Sequence, residues 1–598
     1  MRRLLDEIRR RRLDRIAIAY GVAAWLIVQA GSIALPTFGA PAWVLKGLIV
    51  AAILGFPIAL WIAWYLAPHK GPPRTWVTRR FDLALLAGLA AVVLLLILNL
   101  AWQASGLFAG HAVGGDPGAT ARRSSAPRTA VAVLPFSNMS GDPAKEYFSD
   151  GISEEILNQL SNVRSLRVPA RTSSFAFKGK NEDVRNIARA LNVGTVLEGS
   201  VREEGRRVRI TAQLIDAEDG YHLWSKTYDR DLSNILAVQD EIARAITLQL
   251  TSGLLGSGSP ASRRTPIDPD AYRRYLQGVS LSARKTDEDD SSAVQLLAEV
   301  AAAQPKFAPA YAALGRTFIH MVQFHGERGP YLAKAHAALD AALRLDPHNL
   351  EALSSRLLLS LMKWDWSKTA ADAHTMQSVN PHSVFTLRAL GSYYGAFGFP
   401  EQQSAALREA TRLDPLSFVD LNNLATVYLQ RNQYTEAASA ASDALALKPD
   451  RPLALYSLCV ANAGMKHVRE AQELSRKLEE LGQPDASRGC SLEMAAALGQ
   501  RSAVHALADA LAARFPTFIF DETEITRYYL LAKDSARASS WLDRAYASRN
   551  MDLFAYVYFP STPPGLVNLP AWKALMRRPE AQAWQRARNR LAAAFSAG

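Results

Sequence analysis

The chain begins with three long apolar runs, at residues 16–35, 47–67 and 83–102, none of which contains a charged side chain. Each reaches the roughly 20 residues that a helix needs to cross a bilayer. Trp43, Trp61, Trp64, Tyr65 and Trp102 sit near their ends, where amphipathic rings settle at headgroup level. We therefore expect three transmembrane helices. Pro57 predicts a kink in the second. The first run is longer than the apolar region of a signal peptide and lacks a small-x-small cleavage site, so we read it as an uncleaved anchor. Gln29 and Asn99 fit interhelical hydrogen bonds better than a transport path, and the spans contain no ionisable residue that would suggest transport.

The pattern changes after a Gly/Ala/Ser/Pro-rich linker at 103–128. Residues 129–250 read as an α/β domain of about 120 residues with a core of its own. Ala130 to Phe136 is a buried-strand run. Asp142-Pro143 supplies an N-cap and a first-turn proline, and Phe148, Ile152, Ile156 and Leu160 then recur on one helical face. A second strand is expected at Leu166 to Pro169, followed by a helix that carries Val184, Ile187 and Leu191. Two strands meet at Glu203-Glu204-Gly205. In the later one, Val208, Ile210, Ala212 and Leu214 alternate with Arg209, Thr211 and Gln213, so one side is buried and one wet. A last strand from Tyr221 to Tyr228 leads into a helix with Leu232, Ile235, Ile242, Ile246 and Leu250 inward. The predicted order is β-α-β-α-β-β-β-α around a mixed sheet.

Beyond a short linker at 251–265 the pattern is helical, rich in Ala and Leu. Pro347, Pro381, Pro415 and Pro449 are spaced 34 residues apart. A 34-residue period with a proline after each second helix resembles the tetratricopeptide repeat. Leu387, Leu390-Gly391 and Tyr394 fall at the expected internal positions, as do Leu421, Leu424, Tyr428, Ala437 and Ala444. We expect about eight units over 266–550 and a capping segment at 551–598. Such pairs bury only part of their apolar surface alone, so stability comes from stacking into a solenoid.

Charge assigns an orientation. Nine of the twelve net positive charges fall in residues 1–80, where twelve basic side chains face three acidic ones. Seven arginines precede the first run, one lysine lies between the first and second, and four basic residues lie between the second and third. By the positive-inside bias, residues 1–15 form a cytoplasmic N-terminus and everything after residue 102 lies outside. The expected location is the bacterial inner membrane, multi-pass, with the later domains periplasmic. Basicity concentrated beside membrane spans argues against a nucleic-acid partner. The two cysteines, Cys459 and Cys490, exclude a disulfide scaffold. They could pair in the periplasm, although small buried thiols in helices are the commoner case.

Four stretches of the α/β region carry a resemblance: Val131-Ala-Val-Leu-Pro-Phe136, Gly141 to Glu155, Leu197-Glu-Gly-Ser-Val201 and Arg209 to Asp216. In combination this domain resembles the TolB amino-terminal-like (FlgO-like) family of bacterial envelope proteins, over about a fifth of the chain. The resemblance implies an extracytoplasmic protein-docking domain without catalytic residues. Similar domains followed by helical repeats trail a nucleotide cyclase or a winged-helix domain in some bacterial proteins. Residues 1–128 are too short and too apolar to be either, so the accessory part is expected here without the catalytic one.

Several places carry residues that could do chemistry. Asp150, Glu154 and Glu155 lie close together, but acids in an early helical turn also favour the macrodipole. Phe177-Lys178-Gly179-Lys180 lacks the glycine and the Ser/Thr of a phosphate loop. The histidines show no metal-ligand spacing, and there is no nucleophile elbow. We expect no catalytic residues, no metal and no cofactor, and a small-molecule ligand is not favoured. Arg316, Arg388, Asn422 and Tyr456 are the candidates for protein binding on the concave face of the repeats. The basic-and-asparagine clamp with which some tetratricopeptide proteins hold a C-terminal carboxylate is not matched at its spacing. His222, Trp224, Lys226 and Tyr228 form a candidate docking face on one strand, although an aromatic strand packed under the last helix is the commoner reading of the same residues. The expected function is a membrane-anchored, non-enzymatic interaction scaffold with protein or peptide partners, serving envelope assembly or signalling. The alternative is a nucleotide-responsive regulator using the α/β domain.

Overall fold

The computed structural model describes residues 127–180, 182–251, 266–284, 286–324, 328–516 and 520–597, together with Tyr20. Apart from Tyr20, the three apolar runs expected to span a membrane lie outside these residues. Among the described residues no helix is long and apolar enough to cross a membrane. The described residues from 127 onward fold as one compact unit.

The first part of that unit is a mixed sheet flanked by helices. Strand β1 (Val131–Val133) pairs in parallel with β3 (Thr195–Glu204), as does the short β2 (Ser137–Asn138). Strands β4 (Arg207–Asp216) and β5 (His222–Asp231) continue antiparallel, giving the order β1-β3-β4-β5. The alternation in β4 works as its sequence dictates: Val208, Ile210, Ala212 and Leu214 are buried. They face α1 (Glu146–Ser161) and α4 (Ile235–Thr251), which supply Ile152, Ile156 and Ile242. The opposite side of β1 packs on α3 (Val184–Leu191) through Ile187 and Leu191. Asp142 caps the turn that leads into α1, accepting from the Ala144 amide at 2.9 Å.

The strand expected at Leu166 to Pro169 does not form. A single bridge joins Ala130 to Arg167, with Val131 N donating to Arg167 O at 2.9 Å. Pro169 has no N–H for a longer ladder, and the chain turns into the short helix α2 (Arg171–Phe175).

Sixteen helices follow as eight antiparallel pairs. They are α5 (Pro269–Ser282) with α6 (Asp287–Ala303), α7 (Ala308–Phe324) with α8 (Arg328–Leu345), and α9 (Leu350–Lys363) with α10 (Trp366–Val379). Next come α11 (Val384–Ala396) with α12 (Pro400–Leu413), α13 (Phe418–Gln430) with α14 (Tyr434–Leu447), and α15 (Pro452–Gly464) with α16 (Val468–Glu480). The last are α17 (Pro484–Ala497) with α18 (Arg501–Ala512) and α19 (Glu522–Leu531) with α20 (Ser535–Ala547). Helices α8, α10, α12 and α14 each end two residues before a period-marking proline, because the residue before proline is driven out of the helical region.

A second 34-residue period appears in the backbone. The turn within each of four successive pairs holds one left-handed residue, at Trp364, Gly398, Asn432 and Lys466, and the series continues at Gly499 and Lys533. Close helix packing within pairs uses small residues. A side chain on Gly391 would place its Cβ 2.8 Å from Leu407 Cδ2, and Ala437 is fully buried.

The α/β region does not keep a core to itself. One apolar cluster runs from Val131 and Ile156 through Tyr272, Leu276 and Leu353 and on to Trp541 and Trp584. The linkage is local and physical: Gly151 of α1 lies directly over Leu276 of α5, and Phe148 meets Tyr272 edge to face at 6.4 Å. The C-terminal segment is likewise more than an end cap. Its helices α21 (Pro570–Leu575) and α22 (Pro579–Ala597) return to the turns of earlier units. Trp584 stacks on Phe397 and donates its Nε1 hydrogen to Ala396 O at 2.9 Å. Ser561 N donates to Gln430 O at 3.0 Å. Cys459 and Cys490 form a disulfide with their Cα atoms 5.9 Å apart, joining first helices of neighbouring units; the pairing, not two separate thiols, is the outcome.

Candidate binding groove of the repeat array

The first helices of the units form one continuous face, and its two halves differ. Over the early units the face is covered by the chain's own α/β region. Glu155 of α1 accepts from the Tyr275 hydroxyl at 2.5 Å. Arg273 Nε donates to Glu203 of β3 at 2.6 Å. The side-chain amide of Asn380 donates to the backbone carbonyls of Ser161 and Val163 at 2.8 and 3.1 Å. Helix α2 sits on the turn between α12 and α13: Ser173 N donates to Asp414 Oδ1 at 3.2 Å, and Leu416 N donates to Ser173 Oγ at 2.9 Å.

This arrangement decides the fate of two candidate residues. Arg316 on α7 is paired with Glu351 on α9 at 2.7 Å beneath α1. Burial raises the Glu351 carboxyl above its usual range, against the opposing effect of Arg316. Arg388 on α11 is gripped by Asp414 and by Asp420, whose Oδ1 accepts from its Nε at 2.7 Å. Both carboxylates are fully buried, and burial pushes Asp414 upward despite the guanidinium. Neither arginine is a free contact for a partner; both are structural, tied into the junction between the repeats and the α/β region.

The other two candidates lie together. Asn422 on α13 and Tyr456 on α15 line a groove of about 360 Å³ walled by α13, α15, α17 and α19. Tyr456 OH lies 3.0 Å from Tyr528 OH, and burial lifts both phenols well above their ordinary value. Phe520 meets Tyr456 edge to face at 5.4 Å. Glycine is required at 489 because any Cβ there would collide with the Phe520 ring. On the far wall Arg527 pairs with Glu493 and, at 3.1 Å, with Glu524. Its guanidinium carbon lies 4.7 Å from the centre of the Tyr528 ring. Burial raises the Glu524 carboxyl. Sequence reasoning missed Gln430, Glu493, Phe520 and Arg527. The 34-residue register could have found three of them, since Gln430, Glu493 and Arg527 all fall on first helices.

The candidate docking face of β5 divides: Tyr228 is buried and Trp224 packs against the core, whereas His222 and Lys226 are exposed. A register shift between Leu214 and Ile215 pairs His222 with Ile215 but Trp224 with Leu214. Residues opposite one another share a side of the sheet, so the bulge turns His222 away from Trp224, Lys226 and Tyr228. Tyr228 is 1% exposed under α4, and burial takes its hydroxyl up to about 12. Lys226 lies 4.7 Å from the Tyr228 ring and 3.9 Å from Glu241. The carboxylates near the start of α1 have structural partners: Asp150 accepts from Lys178 at 2.6 Å, and Glu154 pairs with Arg171 at 2.8 Å. Among the described residues no group of three His, Cys, Asp or Glu is placed to hold a metal ion.

Comparison with known proteins adds a partial frame. Residues 127–245 match the model of the second domain of HilA/YgeH-like transcriptional regulators. That is a different family description from the envelope-protein domain the motifs resemble, over almost the same residues. A curated relative, putative adenylate cyclase 3 of Rhizobium meliloti (strain 1021), is 44% identical over 188 residues, which is 31% of this chain and 32% of the relative. The match thus spans about a third of that protein's length. Among solved structures, a tetratricopeptide repeat protein from Parabacteroides merdae is similar at 14% identity, covering 39% of this chain and 93% of that one with a TM-score of 0.31. PilF of Pseudomonas aeruginosa is similar at 14% identity over 36% and 93% of the two chains, with a TM-score of 0.29.

Proposed function

We propose that this chain is a membrane-anchored, non-enzymatic interaction protein whose repeat array holds a segment of a partner protein. The observation that carries this reading is the division of the first-helix face. Its early units are covered by the chain's own α/β region, and its later units line an open groove containing Asn422 and Tyr456. The α/β region, TolB-like in its motifs, serves as a fixed support for the array. Anchoring by residues 16–35, 47–67 and 83–102 raises the effective concentration of the groove near a membrane-bound partner. A periplasmic placement is supported by the charge distribution of the first 80 residues and by the Cys459–Cys490 bond, since disulfides persist in oxidising compartments.

The test is protease treatment of spheroplasts, with intact cells and lysate as controls. Digestion of residues 129–598 in spheroplasts supports the placement. Protection until lysis would place these residues in the cytoplasm and remove the envelope reading.

A second reading rests on the similarity to a putative adenylate cyclase over 188 residues: a regulator whose α/β region responds to nucleotides. Thermal stabilisation of the purified chain by one member of a nucleotide panel would favour it. No shift across the panel would leave the interaction reading.

A further inference from the structure

The outer side of the mixed sheet is covered only in part. Helix α3 packs on it through Ala132, Leu134 and Val196, while Ser225 and Thr227 further across are exposed. Between α3 and the open part of the sheet lies a cavity of about 420 Å³, within the roughly 300–1,000 Å³ of small-molecule sites. It has two kinds of wall. Leu134, Phe177, Val184 and Ile187 make an apolar side, and Glu198, Ser200, Thr211 and Gln213 make a polar floor. The floor follows from strand alternation: Leu197, Val201, Ile210 and Ala212 enter the core on the other side of β3 and β4.

Register sets the floor's groups side by side. Glu198 stands opposite Gln213, and Ser200 opposite Thr211, with about 5 Å between their Cβ atoms. The Thr211 hydroxyl is shared with that of Thr227 at 3.2 Å. The Glu198 carboxylate, the Gln213 amide and the Ser200 hydroxyl have no partner among the described residues, and all three remain open to the cavity.

Charge selects the ligand. Lys178 on the rim is held by Glu146 at 3.0 Å and Asp150 at 2.6 Å. Lys180 and Glu182 stand on the rim too, both exposed and opposite in sign. Glu198 is therefore the uncompensated charge of the floor. A carboxylate binds most strongly to a cation that brings its own hydrogen-bond donors. A primary ammonium brings three, and Glu198, the Gln213 carbonyl oxygen and the Ser200 hydroxyl can accept them. The phosphates of a nucleotide would be repelled by Glu198, so this cavity does not serve the nucleotide reading.

We infer that the cavity between α3 and the sheet binds a small molecule with a primary ammonium group and an apolar body. The ammonium rests on Glu198, Ser200 and Gln213, and the body lies against Phe177, Val184 and Ile187. The site is separate from the repeat groove and does not rest on the interaction reading.

The test uses residues 127–598, which fold as one unit, so that no detergent competes for the probes. Phenethylamine, phenethyl alcohol and phenylpropionate share a ring and differ in charge; each is titrated calorimetrically. The amine should bind at least tenfold more tightly than the alcohol, and the acid more weakly than either. Glu198→Gln, whose parent side chain makes no hydrogen bond or ion pair within the fold, should melt at the parent temperature and lose amine binding tenfold or more. Phenylalanine and its amide separate two sources of the ammonium. Tighter binding of phenylalanine, lost in Lys180→Ala, assigns an amino acid; equal or weaker binding assigns a simple amine. Equal affinity for amine and alcohol, full amine binding by Glu198→Gln, or no heat from any amine at millimolar concentration would overturn the site. None of these results would touch the partner-groove reading.

Discussion

Asp552 shows how one side chain can report on its surroundings. It opens the C-terminal segment beside Asp521, and burial, then the neighbouring Asp521, takes its carboxyl up to about 7. Part of the residue reaches solvent, but the packing of Leu553 and Phe554 around it is complete. The folded state therefore keeps a proton that the unfolded chain releases near its ordinary value of 3.8. Stability is lost as pH rises from about 4 through 7 and the penalty is complete above that. Asp552→Asn should thus melt higher than the parent at pH 8 by a clearly larger margin than at pH 5. An equal margin at both would contradict the assignment. Arg388 makes the opposite case. Removing it leaves Asp414 and Asp420 buried without their counter-ion, so Arg388→Ala should cost about 3–5 kcal/mol in urea unfolding. Loss of under 1 kcal/mol would mean the carboxylates find water. The residue type at 388 was legible as a first-helix arginine. Its partners were not, because Asp414 looks like part of the Leu-Asp-Pro punctuation and gives no sign that it also receives Ser173.

At the scale of elements, the helices were the most legible part, and the reason is periodicity. Proline every 34 residues marks the end of each second helix from α8 to α14 because the residue before proline cannot remain helical. The matching left-handed turn residues were invisible, since only Gly398 and Gly499 of the six are glycine; Trp364 and Lys466 pay about a kilocalorie each for the conformation. The strand at Leu166 to Pro169 was overread because β-compatible residues there precede a proline that cannot extend a ladder. The face of β5 was misread at His222 because a bulge leaves no mark in the alternation. The disulfide could not be deduced from two cysteines 31 residues apart; it follows from stacking, which sets α15 against α17. Closing a loop of that length is worth about 3–4 kcal/mol on the chain-entropy model. Cys459→Ala/Cys490→Ala should unfold at correspondingly lower urea, and the parent should lose a similar amount in reductant. A variant as stable as the parent would show that the bond is incidental to the packing.

For the whole molecule, the sequence suggested separate modules joined by a linker, and the structure joins them. The expectation of an independent α/β core followed from a correct count of inward residues. What the count could not reveal is that α1 also meets α5, through the Phe148 ring, Gly151 and Glu155. This junction makes the early repeats a support and leaves the later ones as the binding face, so it is the central claim. It is tested most directly by replacing Ser173 and Leu416 with cysteine in the full-length chain, since the Ser173 hydroxyl accepts from the Leu416 amide at 2.9 Å. The account predicts that a short bifunctional thiol reagent bridges the pair in most molecules, with neither single variant cross-linking. Two thiols that both react with an alkylating reagent yet never join would show that the α/β region is not seated on the repeats, and that the whole first-helix face is open.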